Sequence, residues 1–197
     1  MSPSSTPAES LRSRFPNRVL DVSVFRAQPA VTLAADGLPE AARFLKQDSA
    51  SAFDFLMDLT AVDYLKFGKS QSSQPTMPTP SPLPYFMKPK RLDETWTRVV
   101  SNTEYRFDVV YHFFSSARQH RLRLVVPLKA SGLQVSSLTG LWKAADWFER
   151  EVWDMFGITF EGHPNLKRIL MYDSFEGYPL RKDYPYYKRQ PLIGPQN

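Results

Sequence analysis

The sequence predicts an α+β fold: a two-layer domain of mixed or antiparallel sheet with helices, followed by an extended C-terminal tail. Three observations carry that prediction. Tyr105–Ser115 and His120–Leu128 alternate apolar and polar residues with period two, the mark of half-buried strands. Leu141–Phe156 instead repeats its apolar residues at helical spacing. Beyond His163 the periodicity stops while prolines and aromatics continue. A length of 197 residues suits one such domain with appendages.

The elements follow in chain order. Residues 1–17, rich in Ser, Pro and Arg, are expected to be a disordered lead-in to a domain spanning 18–160. Val22, Val24, Val31 and Leu33 predict a strand pair within Val19–Leu33, turning around Gln28–Pro29. Pro39 suits a first helical turn, and Leu38, Ala41, Ala42 and Leu45 predict an amphipathic helix to about Lys46. Phe53–Leu65 reads as a strand. Its Asp54, Asp58 and Asp63 hint at a pocket, although turn capping or a solvated strand edge explains them more simply. From about 67 to 95 six prolines between Pro75 and Pro89 mark an inserted loop, since such a run supplies neither ladder donors nor a helix. Ser116–Gln119 then closes a hairpin between the two alternating segments.

Composition removes several chemistries. The absence of cysteine excludes disulfides, thiolate metal sites, cysteine-ligated clusters and cysteine nucleophiles. No Gly-x-Gly occurs among the eight glycines, so no familiar phosphate loop is present. No apolar run reaches the roughly 20 residues needed to span a bilayer, and MSPSSTPAESLRSRF does not resemble a secretory signal. Membrane association would therefore be peripheral. The formal charge of +5 is concentrated in the insertion and the tail, where Lys66–Arg91 alone holds five basic residues and no acid. Without a basic stripe on a folded motif, no nucleic-acid partner is expected. His112 and His120 read as ordinary strand residues.

Projected on a helix, Leu141, Trp142, Ala145, Phe148, Val152, Trp153, Met155 and Phe156 fill one apolar arc of roughly 160°. Gly157 supplies the stop. Lys143, Asp146, Arg150, Glu151 and Asp154 fall on the other side. Glu149 breaks the pattern by entering the apolar arc, where a carboxylate must be paired or neutral. Trp147 breaks it in the opposite sense, projecting outward where an indole suits a docking partner. Glu149 points at least roughly 140° away from Glu151 and Asp154, so these carboxylates do not converge as an acid–base pair. The chain is expected to have no active site or metal site of its own. By this projection Glu149 is a costlier carboxylate to remove than Asp154.

The tail, 161–197, is too aromatic for ordinary disorder, with Tyr172, Phe175, Tyr178, Tyr184, Tyr186 and Tyr187 among its prolines. It reads as a strap that lies along a partner, with Arg181, Lys182 and Asp183 making polar contacts.

These residues carry a family resemblance. Glu149-Arg150-Glu151, Asp154-Met155-Phe156, Gly162-His163-Pro164 and Lys167-Arg168-Ile169-Leu170 resemble the C subunit of proton-pumping NADH–quinone oxidoreductase, respiratory complex I. Phe175-Glu176-Gly177, Pro179–Pro185 and Lys188–Pro191 resemble the same family's C-terminus. The likeness covers about 18–66 and 104–194 but not the insertion.

The resemblance implies a structural subunit of the peripheral arm, bracing the quinone-reducing module as electrons pass from NADH to quinone. It implies no cofactor in this chain, with flavin, iron–sulfur clusters and quinone held by partner subunits. It also implies hetero-oligomeric packing against the D and B subunits, on the cytoplasmic face of a bacterial inner membrane. Membrane-bound hydrogenases and ferredoxin-driven complexes contain similar subunits, an alternative assembly. The candidate interface residues are Trp147, Glu149, Arg150, Glu151, Asp154, His163, Arg168, Arg181, Lys182, Asp183 and Tyr184.

Overall fold

The computed structural model describes residues 6–65, 104–185, 187–188 and 190, so the Pro-rich insertion lies outside the described residues. The elements are α1 (Pro7–Arg14), β1 (Val19–Phe25), β2 (Gln28–Leu33), α2 (Leu38–Gln47), β3 (Phe55–Asp63), β4 (Tyr105–Ser115), β5 (His120–Lys129), β6 (Gln134–Ser136), α3 (Ala145–Phe156) and β7 (Thr159–Glu161).

Five strands form a mixed sheet in the order β1-β2-β5-β4-β3, and β6 and β7 pair in parallel beside it. Only the β2–β5 pairing within the large sheet is parallel; the others are antiparallel. The period-two alternation sets its faces. Phe107, Val109, Tyr111 and Phe113 of β4 stand opposite Leu128, Val126, Leu124 and Leu122 of β5, and all eight are buried. They join Leu11 of α1, Leu38, Ala41, Ala42 and Leu45 of α2, and Val152, Met155 and Phe156 of α3 in one core. Helices therefore close one face of the sheet and the α+β, two-layer expectation holds.

Three local expectations change. Residues 7–14 are a helix rather than part of a disordered lead-in, started by a capping box in which Thr6 and Glu9 each accept the other's backbone N–H. Leu11 then seats it in the core. The first hairpin turns at Arg26–Ala27, not Gln28–Pro29. A two-residue turn needs positive φ, which these residues adopt at 50° and 62° and which proline cannot. Finally α3 begins at Ala145, because Leu141, Trp142 and Ala145 close short turns onto Leu138 and Trp142 carbonyls first. Trp142 is still buried, and its Nε1 donates to the Phe53 carbonyl at 3.2 Å.

Candidate subunit interface

The two exceptional residues of α3 behave as its projection predicts. Glu149 is fully buried and accepts from the Leu138 N–H at 2.7 Å and the Ser137 hydroxyl at 2.6 Å, which pins the β6–α3 connection. Burial pushes its carboxyl up to about 7, against the lowering by these two bonds. Trp147 is 63% exposed, with the Arg150 guanidinium 5.1 Å from its ring centre.

The rest of the polar side is different. Asp154 and Arg150 do not face water; both are buried, because the segment after β7 runs back over this flank. Asp154 accepts from the N–H groups of Ile169, Leu170 and Met171 at 3.1, 2.9 and 2.9 Å, and from Arg168 at 2.5 Å. Burial raises its proton affinity, but the Met171 amide, Arg168 and the other amides overcome that and hold its carboxyl below the usual range. Arg150 donates to the Lys167 carbonyl at 3.1 Å. His163 has a buried ring whose Nδ1 accepts from the Asn165 N–H at 3.0 Å, which leaves the proton on Nε2, 3.2 Å from the Asp146 carbonyl.

Further along, Arg168 also donates to the Phe175 carbonyl at 2.9 Å and lies against the rings of Trp153, Phe175 and Tyr178. Arg181 donates to the Phe156 carbonyl at 2.5 Å and stacks on Tyr178 at 4.5 Å. Gly157, with φ 71°, makes this approach feasible: a Cβ there would come within 2.6 Å of Tyr178 and 2.5 Å of Arg181.

A second latch forms at the end of β3. Buried Asp63 takes a two-pronged contact from Arg106 at 3.0 and 2.7 Å and accepts the Lys182 N–H at 2.9 Å. Arg106 also pairs with Asp183 at 2.8 Å. Tyr184 stacks on Phe175 with ring centres 6.1 Å apart.

The tail, through Tyr184, is thus fastened to its own domain by these contacts. Glu149, Arg150, Asp154, His163, Arg168, Arg181 and Asp183 serve internal contacts. Trp147, Glu151 and the Lys182 side chain stay outward, joined by Leu170 and Leu180 at 56% and 49% exposure. Arg106 escaped sequence reasoning altogether, and Asp63 and Tyr178 were noticed without their partners: Asp63 meets Lys182 across 119 positions, and only its place in an apolar strand hinted at a partner.

Among the described residues no three His, Asp or Glu side chains gather as metal ligands, and no helix is long and apolar enough to cross a membrane. The carboxylates of Asp63, Glu149 and Asp154 are each occupied by donors. What this arrangement does is hold α3 and the tail as one rigid body with an aromatic on its outer flank.

Residues 31–190 match the family described as the respiratory-chain NADH dehydrogenase 30 Kd subunit. The chain belongs to this family. It is 37% identical over 175 residues to the NADH-quinone oxidoreductase C subunit of Citrifermentans bemidjiense, covering 89% of this chain and 85% of that one. The same protein of Roseiflexus sp. is 37% identical, covering 91% of this chain and 83% of that one. Among solved structures, the trypsin-resistant fragment of Nqo5 superposes with a TM-score of 0.55 at 26% identity, over 82% of this chain and all of the fragment. A chain of the archaeal membrane-bound sulfane sulfur reductase shares the fold, with a TM-score of 0.62 at 19% identity over 90% of this chain and 83% of that one.

Proposed function

We propose that this chain is a cofactor-free scaffold in the peripheral arm of proton-pumping NADH–quinone oxidoreductase, the C subunit of complex I. Its family and its relatives of that name support a place in a hetero-oligomeric respiratory complex. On this reading it packs against the D and B subunits and braces the quinone-reducing module. It reaches the membrane only through the complex, on the cytoplasmic face. Flavin, clusters and quinone belong to the partners.

One observation carries the docking role: Trp147 is 63% exposed on a flank where everything behind it is fixed. Arg150 lies against its ring and is itself tied to the Lys167 and Arg168 carbonyls. A rigid, outward indole with exposed Leu170 and Leu180 on the same tail loses little freedom on binding, which favours a permanent contact.

The experiment is recovery of the tagged chain from gently solubilised membranes, with mass spectrometry of its partners and an NADH–quinone assay. Recovery with D and B subunits and NADH activity supports the reading. Recovery with the large subunit of a nickel–iron hydrogenase moves the chain to a related assembly. A chain recovered alone overturns the scaffold role.

A further inference from the structure

The face of the large sheet away from the helices has one end unlike the other. Because β2 and β5 are parallel, the β1–β2 and β4–β5 turns that precede them lie at the same end. Two cross-strand rows meet the surface there. In the first, Phe25 stands opposite Gln28 on β1 and β2, while Arg121, Phe114 and Phe55 stand in register on β5, β4 and β3. In the second, Ser23, Ala30, Arg123, His112 and Asp58 line up across all five strands. The register shift between Leu56 and Asp58 leaves Met57 beside them, and a groove of about 270 Å³ runs between Gln28, Met57, Asp58, His112, Arg121 and Arg123.

Arg121 and Arg123 are both exposed and, among the described residues, neither has a carboxylate partner. The contrast is with Arg106, Arg150, Arg168 and Arg181, each bonded within the fold. Arg121 lies over the Phe114 ring at 5.9 Å, the stacked posture that leaves a guanidinium edge open to a carboxylate. Phe55 on β3 and Phe25 on β1 close the first row at the two edges of the sheet, at 53% and 50% exposure. A third arginine, Arg26, lies over Phe25 at 5.2 Å from a turn whose non-glycine residues both carry positive φ. Burial first, then the charge of Arg123, pushes the His112 ring below its ordinary value while Asp58 opposes, so the local field is positive.

We propose that this end of the sheet is a second docking surface, which receives an acidic segment of a partner polypeptide with an apolar anchor against Phe55. Arg121 and Arg123, two apart on one strand, place their Cα atoms about 7 Å apart, which suits two carboxylates at i and i+2 of a strand or i and i+4 of a helix. The half-exposed Phe55 ring, in register with Phe114 and Arg121, supplies the apolar contact and the guanidiniums the paired charge. Asp58 within the same groove favours discrete carboxylates over a continuous anionic surface such as a phosphate backbone or lipid bilayer. The surface is separate from the α3 flank and does not depend on it.

The test places photoreactive benzoylphenylalanine at Phe55 of the full chain in its own cells, irradiates the membranes and maps the adducts by mass spectrometry. A parallel probe at Trp147 reports the α3 flank. The expected adduct at 55 is a protein stretch carrying at least two Asp or Glu residues within one or two helical turns. Arg121→Glu with Arg123→Glu should lower its yield about tenfold while the melting temperature of the chain holds. If that pair fails to fold, Arg121→Gln with Arg123→Gln should lower the yield in the same direction. Adducts only with lipid or nucleic acid, or with a stretch lacking acids, overturn the proposal. So does silence at 55 while the Trp147 probe reacts. Reaction at 55 with silence at Trp147 sinks the α3-flank reading alone.

Discussion

Arg168 meets the buried carboxylate of Asp154 at 2.5 Å, and that carboxylate also accepts three consecutive backbone N–H groups from Ile169 to Met171. One side chain of α3 thereby fixes the path of the tail. The helical projection ranked Glu149 above Asp154, but Asp154 has the more donors to strand.

Asp154→Ala should lower stability by about 3 kcal/mol, because it leaves the Arg168 guanidinium and three amides without their acceptor. Urea unfolding measures the loss, and limited proteolysis should show earlier cleavage after Leu166. The Asp154 carboxyl is held below 3.8, so its contribution is present above that pH and is lost as pH falls through its folded value.

Glu149 acts with the opposite sign. In the fold it holds its proton up to about 7, whereas its ordinary value is 4.5. Between those limits the folded state binds more protons, so stability falls as pH rises, by at most about 3 kcal/mol. Glu149→Gln should flatten that slope between about pH 5 and pH 8 in thermal melts. An unchanged slope would place the titration elsewhere.

Gly157→Ala should cost about 2 kcal/mol or more. It combines a left-handed backbone at φ 71° with a Cβ placed 2.6 Å from Tyr178. Differential scanning calorimetry checks the loss. The fluorescence of nearby tyrosines should report displacement of the tail.

Thr6→Ala should cost about 1 kcal/mol by removing one half of the capping box that starts α1. Restoring the hydroxyl with Ser at the same position should recover most of it, as read by thermal melting.

How much of this was legible depended on distance along the chain. The hairpin of β4 and β5 was readable residue by residue, because alternation is local and Phe107 to Phe113 carry it plainly. Glu149 and Trp147 stood out because a helix places each side chain predictably. Asp154 and Arg150 did not, since the projection assumes that the polar side of a helix meets water, and here a later segment covers it. Asp63 was equally hidden, its partners Arg106 and Lys182 lying 43 and 119 positions away. The missed α1 was a different failure: Thr6 and Glu9 stand at capping-box spacing, but the Ser- and Pro-rich composition around them outweighed that signal.

On the proposed reading, the outer flank of α3 docks the chain into its complex. The most direct test of that docking is Trp147→Glu, followed by recovery of assembled NADH–quinone oxidoreductase from membranes and a thermal melt of the chain alone. Since Trp147 is 63% exposed, the melt should not move, while recovery of the complex should fall about tenfold or more. Full recovery of an active complex carrying this charge substitution would rule out docking through Trp147.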